Sequence, residues 1–215
     1  MKRRLILLGP PGAGKGTVAA YLKQDFGLEH ISSGQLLRQE IARKTPFGVR
    51  AQSFIEKGEL VPDGEIVRFM QSVVSLGQLR NGVMLDGFPR SVPQAHALDA
   101  WLKSEQLAID AAVYCDAPEA VIIDRITGRR TCSGCNRIYH IRTMPPQVEG
   151  KCDSCGGVLV QRADDTPEVV HRRLEIYCRD TAPLREFYNG RGQLTILDCS
   201  LEPERLRTAA REALS

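Results

Sequence analysis

Gly9-Pro10-Pro11-Gly12-Ala13-Gly14-Lys15-Gly16-Thr17 is the stretch that decides the fold of this chain. It follows a short apolar run, Leu5-Ile6-Leu7-Leu8, and leads into a helical pattern that begins near Gly14. Strand, glycine-rich turn and helix form the context that a phosphate-binding loop requires. The glycines let the backbone curl around an anion with its N–H groups turned inward. The helix N-terminus adds partial positive charge, and Lys15 adds a full one. The general pattern has Ser or Thr directly after the lysine, whereas here Gly16 intervenes before Thr17.

Working outward, short apolar runs alternate with amphipathic stretches, which predicts an α/β fold with a mainly parallel sheet. The strands are expected at 4–8, 29–32, 82–86, 111–115 and 193–197. The helices are expected at 14–25, 34–44, 47–57, 63–77, 91–103, 118–127, 167–188 and 202–213. Pro118 and Pro167 suit first-turn positions, and Thr166 suits an N-cap. Between 128 and 163 helical periodicity gives way to Gly, Pro and paired cysteines, the mark of a small inserted module.

A chain of 215 residues accommodates one domain with an insertion, or at most two small domains. A formal charge of +3 is too mild to imply nucleic-acid binding by itself. Lys2-Arg3-Arg4 before the apolar run briefly resembles a secretory signal, but the run is too short and Gly-Pro-Pro ends it. No stretch approaches membrane-spanning length. The reading is a cytoplasmic protein in a thiol-reducing compartment.

Cys132-x-x-Cys135 and Cys152-x-x-Cys155 are separated by sixteen residues. That spacing matches two knuckles presenting four thiolates to one tetrahedral Zn²⁺. Gly134, Gly156 and Gly157 supply tight turns around it. Two disulfides would fit poorly with a reducing compartment. An all-cysteine set leaves no open coordination position, so the metal is expected to be structural. It would stabilise a module too small to fold on apolar burial alone. Cys115 and Cys178 read as small buried hydrophobes.

Val83-Met84-Leu85-Asp86 is an apolar strand ending in an acid that would help to hold Mg²⁺ through water. Gly87-Phe88-Pro89-Arg90 then delivers an arginine to the same sheet edge. Ligands bind at the carboxyl ends of such strands, so Lys15, Asp86 and Arg90 are expected to converge. Arg125, Arg129 and Arg130 flank the start of the cysteine module, Arg162, Asp164 and Asp165 close it, and Arg172-Arg173 follow. Such a placement suits a lid that shuts over polyphosphate. Water competes with any phosphoryl acceptor, so a closing cover favours transfer over hydrolysis.

These residues resemble adenylate kinases of the long-lid, zinc-containing type, through nearly the whole chain. Residues 9–17 match the family's GxPGxGKGT loop, which explains Gly16. His30-Ile31-Ser32-Ser33-Gly34-Gln35-Leu36-Leu37-Arg38 resembles the monophosphate-site segment. Leu85-Asp86-Gly87-Phe88-Pro89-Arg90 with Gln94 matches the most specific signature, and Arg125-Ile126-Thr127-Gly128-Arg129-Arg130 opens the lid.

The resemblance implies a P-loop nucleoside monophosphate kinase-like fold, with a parallel five-stranded sheet flanked by helices and an inserted zinc-binding lid. It implies a core of 1–31, 62–127 and 166–215, a monophosphate-binding segment at 32–61, and a lid at 128–165. It implies reversible phosphoryl transfer from Mg²⁺-bound ATP to AMP, giving two ADP, by a cytoplasmic monomer with structural Zn²⁺ and no nucleic-acid or membrane partner. The implied ATP site is Gly12, Ala13, Gly14, Lys15, Gly16, Thr17, Arg129, Ile138 and Tyr139. The implied AMP site is Ser33, Arg38, Glu59, Leu60, Val61, Gly87, Phe88, Pro89, Arg90, Gln94, Arg162 and Arg173, with Gln94 reading the adenine edge. Lys15, Arg90, Arg125, Arg129, Arg162 and Arg173 would neutralise the travelling phosphoryl group, with Asp86 on the metal. The metal-ligating set is Cys132, Cys135, Cys152 and Cys155.

Three positions depart from the family pattern. Gln35 stands in place of a usual aspartate, Ser33 in place of the commoner threonine, and Asp198-Cys199 in place of an Asp-Gly turn. None removes a phosphate ligand, so slower turnover or altered metal dependence is expected rather than another reaction. Two alternatives are a kinase of another nucleoside monophosphate and a zinc-ribbon nucleic-acid-binding module fused to a nucleotide switch.

Overall fold

A computed structural model describes residues 2–214. The apolar run becomes β1 (Arg4–Leu8), the central strand of a five-stranded parallel sheet. β2 (Glu29–Ser32) lies at one edge, with β3 (Val83–Asp86) between it and β1; β4 (Ala111–Asp116) lies on the other side of β1. The outer strand beyond β4 is Leu194–Asp198, the last in the chain. Alternate residues of a strand point to opposite faces. Ile6, Leu8, Val83, Leu85, Ala112 and Tyr114 therefore enter one core, while Leu5, Leu7, Met84, Ala111, Val113 and Cys115 enter the other.

Helix α1 (Lys15–Phe26) and the C-terminal helix Pro203–Glu212 cover the second core through Leu22 and Leu206. The first core is closed by Met70, Leu98 and Leu184, from the helices Asp63–Val73, Val92–Ser104 and Pro183–Asn189. Burial on both faces explains why the strands read as continuous apolar runs and not as an alternation. Each fully buried Leu or Ile contributes about 1.5–3 kcal/mol. The chain leaves β1 for β2 and β3 on one side, then crosses to β4 on the other. That reversal opens a crevice at the carboxyl end of β1.

In chain order the remaining helices are α2 (Ser33–Ala42), α3 (Pro46–Glu56), α4 (Asp63–Val73), α5 (Leu76–Asn81), α6 (Val92–Ser104) and α7 (Glu119–Thr127). The insertion is a three-stranded antiparallel sheet of β5 (Arg129–Cys132), β6 (Ile138–His140) and β7 (Leu159–Val160), in the order β6-β5-β7. It is followed by α8 (Pro167–Ile176), α9 (Pro183–Asn189), β8 (Leu194–Asp198) and α10 (Pro203–Glu212). No helix among the described residues is long and apolar enough to cross a membrane.

Four sequence expectations need correction. The helix expected over 63–77 stops at Val73 because Ser75 and Gln78 form a capping box that starts α5. The helix expected over 167–188 is interrupted by a π-helical turn at Tyr177–Thr181. Pro183 there has no N–H to continue an α-helical ladder. Pro118 is the N-cap of α7 and not its first residue, whereas Thr166 does cap α8, accepting a bond from Val169 N. Cys178 lies in the π-helical turn and is exposed, in contrast to the buried Cys115.

The turn after β1 passes close to β4. Gly9 has φ +128°, and a Cβ there would lie 2.4 Å from the Cys115 carbonyl oxygen. Neither the conformation nor the gap accepts an L side chain. Gly9→Ala is expected to destabilise the chain by about 2 kcal/mol or more. Equilibrium urea unfolding measures this directly, and a midpoint equal to that of the parent would refute it.

Candidate active site

The loop following β1 is built to receive an anion. Gly14 adopts a left-handed conformation (φ 103°) as N-cap of α1, and Thr17 N and Val18 N both donate to its carbonyl. The first turn of α1 contains no acidic residue, which leaves its positive end uncompensated. Lys15 Nζ folds back over the loop, donating to Gly9 O and Pro10 O, each at 2.8 Å. Burial pushes the Lys15 ammonium below its ordinary pKa, against the opposing pull of Asp86.

Asp86 ends β3 in register with Leu7 of β1 and Ser32 of β2. Its Oδ2 lies 3.2 Å from His30 Nε2. Burial alone would raise the Asp86 carboxyl, but the His30 hydrogen bond and the Lys15 and Arg90 charges outweigh it and hold the pKa low. In the following turn the Gly87 carbonyl accepts from Ser33 Oγ at 2.7 Å and from Arg90 Nε at 2.8 Å. Gln94, on the first turn of α6, accepts the Arg90 N–H at 2.7 Å. Thr181 Oγ1 donates to Arg90 O at 2.8 Å, fixing the segment from the other side.

Arg125, in the last turn of α7, reaches Ala13 O at 3.3 Å and Cys199 O at 2.8 Å. Arg129 on β5 donates to Asp165 Oδ2 at 2.8 Å, and Arg173 on α8 to Asp164 Oδ2 at 2.9 Å. Arg162 donates through Nε to Thr131 Oγ1 at 3.0 Å. These four, with Lys15, Arg38 and Arg90, line one continuous cleft of ≈ 1280 Å³. Burial and then neighbouring arginines lower the Arg90 guanidinium to about 10 and that of Arg162 to about 9. Asp164 feels the reverse. Burial would raise its carboxyl, but Arg173, Arg38 and Arg162 hold it below the usual range.

Most residues singled out from the sequence meet in this cleft. Gly12, Gly14, Gly16 and Thr17 line it from the loop, Arg129, Ile138 and Tyr139 from the insertion, and Ser33, Glu59, Leu60, Val61, Gly87, Pro89 and Gln94 from the opposite wall. Ala13 and Phe88 do not, since both are buried in the cores flanking the sheet. Gln35 also faces the cleft. Tyr139 is 2% exposed, and its hydroxyl accepts the Asp153 N–H at 2.8 Å and lies 3.4 Å from Cys152 Sγ, so it braces the cysteine cluster as well. Two polar contacts escaped the sequence reading: that of His30, the first residue of the monophosphate-site motif, with Asp86, and that of Asp63, whose Oδ1 accepts from Gln94 Nε2 at 2.6 Å.

The sulfurs of Cys132, Cys135, Cys152 and Cys155 all lie within 4.8 Å of one another. Cys132 and Cys155 are 3.4 Å apart and Cys135 and Cys152 3.5 Å. A tetrahedron with metal–sulfur bonds of about 2.3 Å has sulfur–sulfur edges of ~3.8 Å, so the set closely approaches what Zn²⁺ demands. Gly134 N and Cys135 N point at Cys132 Sγ, at 3.4 and 3.5 Å, as donors to a thiolate do. The Tyr139 hydroxyl is the first cause lowering the Cys152 thiol, to about 6, which favours the thiolate. The donor set fits a four-thiolate metal centre.

Comparison with known proteins gives the same picture. The family model for adenylate kinase matches residues 7–193. An adenylate kinase of Moorella thermoacetica is 48% identical over 197 residues, covering 92% of this chain and 91% of its own. One of Clostridium tetani is 46% identical over 198 residues, covering 92% of both chains. One of Carboxydothermus hydrogenoformans is 41% identical over 211 residues, covering 98% of this chain and 99% of its own. Because the matched region takes in the glycine loop, the cationic cleft and the cysteine insertion together, the chain belongs to the adenylate kinase family.

Proposed function

We propose that this nucleoside monophosphate kinase transfers the terminal phosphoryl group of Mg²⁺-bound ATP to AMP, reversibly, giving two ADP. The observation that carries the reading is the single cleft with seven cations on its walls. Its ≈ 1280 Å³ exceeds the 300–1,000 Å³ typical of a pocket for one small ligand and suits two nucleotides end to end. ATP would lie along residues 12–17, with Arg129, Ile138 and Tyr139 above it. AMP would lie against Ser33, Arg38, residues 59–61, residues 87–90 and Gln94, with Arg162 and Arg173 between the two. Lys15, Arg90, Arg125, Arg129, Arg162 and Arg173 would then surround the phosphoryl group in transit. Phosphoryl transfer asks a protein for alignment and charge stabilisation above all. Asp86 would hold the water shell of Mg²⁺, and its depressed pKa keeps it anionic at neutral pH. The segments 32–61 and 128–165 would act as covers that exclude water.

Cys132, Cys135, Cys152 and Cys155 would hold Zn²⁺ as a structural centre, outside the chemistry. Seven free cysteines, four of them grouped in this way, suit a reducing cytoplasm, and the function requires no partner chain.

A coupled assay for ADP with and without AMP tests the reaction. ADP formation is expected to require AMP, with GMP, CMP and UMP much poorer acceptors. ADP formation that ignores AMP would indicate an ATPase. Lys15→Met should lower kcat roughly 10²–10³-fold with the fold intact, the cost of removing one donor to developing charge. A kcat within threefold of the parent would exclude Lys15 from the transition state. Metal stripping by a chelator at raised temperature should lower Tm and abolish activity only as the insertion melts. Activity lost from a still-folded chain, and restored by Zn²⁺, would contradict the structural role.

A further inference from the structure

Gln94 is 2% exposed, and its amide is anchored at both heavy atoms. Oε1 accepts the Arg90 N–H at 2.7 Å, and Nε2 donates to Asp63 Oδ1 at 2.6 Å. Exchanging the two ends of the amide would destroy both bonds. The amide oxygen would then face a carboxylate that has no proton to give, and the amide nitrogen would face a backbone N–H. Asp63 is held in its turn, because its Oδ2 accepts from Ser91 Oγ at 3.0 Å, and that hydroxyl caps α6 by accepting from Gln94 N at 3.3 Å.

An amide group has two N–H bonds and two oxygen lone pairs, so one of each remains after these contacts. Gln94 lines the large cleft, whereas Asp63 lines a separate opening behind it. The face that Gln94 offers to the cleft therefore presents a donor and an acceptor in a fixed order. A 6-aminopurine offers an amino donor beside a ring-nitrogen acceptor. A 6-oxopurine offers the reverse, a carbonyl acceptor beside a ring N–H donor. A freely rotating glutamine amide could serve either base by turning over.

We propose that Asp63 is a specificity-determining positioning residue: its carboxylate, together with the Arg90 N–H, locks the Gln94 amide in the orientation that accepts a 6-aminopurine monophosphate and rejects a 6-oxopurine one. The proposal rests on the reading that Gln94 faces the acceptor base. Binding a 6-oxopurine would require either a mismatched pair at the base edge or a turned amide that leaves buried groups unpaired, and sites of this kind discriminate strongly.

The test compares kcat/KM for AMP and inosine monophosphate in the parent, Asp63→Asn, Asp63→Ala and Gln94→Ala, with the inhibition constant of inosine monophosphate used where turnover is too slow to measure. Inosine monophosphate carries the 6-oxo edge without a 2-amino group, so it probes the amide orientation alone. Both rates come from one preparation, and partial unfolding does not move their ratio. The ratio of inosine monophosphate to AMP is expected to rise about tenfold or more in both Asp63 variants, because either replacement removes the carboxylate contact at Nε2 and leaves the Arg90 N–H alone to oppose the turned amide. A ratio unchanged in the Asp63 variants but raised in Gln94→Ala overturns the lock and leaves Gln94 as the base reader. A ratio unchanged in all three removes Gln94 from base recognition and overturns both readings. A rise in the Asp63 variants without one in Gln94→Ala would mean that Asp63 acts by another route, and likewise overturns the lock.

Discussion

Mutual repulsion among half-buried cations is the constraint on which the rest of this structure turns. Lys15, Arg38, Arg90, Arg125, Arg129, Arg162 and Arg173 share one cleft. Arg129 and Arg173 are paired with Asp165 and Asp164. Arg90, Arg125 and Arg162 instead spend their hydrogen bonds on carbonyl oxygens and a hydroxyl. Burial first, and repulsion from the neighbouring arginines second, lower the Arg90 and Arg162 pKa values, so this clustering has an electrostatic cost. Such a cluster persists only on a rigid base. The central strands provide that base, packed on both faces, and their carboxyl ends carry the glycine loop and Asp86.

The insertion answers the same constraint from the opposite wall. Its apolar interior amounts to Cys132, Tyr139 and Cys152, with Leu159 packed against them, too little to fix a three-stranded sheet. A metal held by the four clustered sulfurs would supply the missing rigidity, and would fix Arg129 on β5 relative to them. Where the insertion meets α7, the backbone and a histidine interlock. His140 is buried, its Nε2 lies 3.1 Å from Asp124 O, and its Nδ1 accepts from Arg142 N and Thr143 N. A Cβ on Gly128 would fall 2.1 Å from the same ring, so only glycine fits that junction. Two backbone N–H groups on Nδ1 require an unprotonated nitrogen there, consistent with burial lowering the His140 pKa.

How much of this could be read from the sequence depended on how local each cause was. The parallel strands were legible because burial on both faces writes itself as an apolar run, and the cysteine cluster because a knuckle places two ligands within four residues. The breaks at Ser75 and Tyr177–Thr181 were harder to see, because helical periodicity continues across both. The capping pair Ser75 and Gln78, and Pro183, were the available signals. Cys178 was misjudged because the π-helical turn rotates it out of the helix face that periodicity assigns to it. The pairings of His30 with Asp86 and of Asp63 with Gln94 carried no signal, since the partners lie 56 and 31 residues apart. Polar networks of that reach are products of the fold and cannot be recovered from spacing.

The cation cluster also bears on why such a cleft transfers phosphate and does not waste it on water. Its members come from separate parts of the chain: Lys15 from the first turn of α1, Arg90 from the loop after β3, Arg38 from α2, Arg129 from the insertion and Arg173 from α8. Drawing them together around an empty cleft raises the electrostatic energy, and drawing them together around two polyphosphate chains lowers it. Only a ligand with different interaction energies in two arrangements can shift the balance between them. One nucleotide would supply part of the required negative charge and two would supply more, so a water-excluding arrangement would be favoured most with donor and acceptor both present. On the reading proposed above, charge balance would then tie closure of the cleft to occupancy by both substrates.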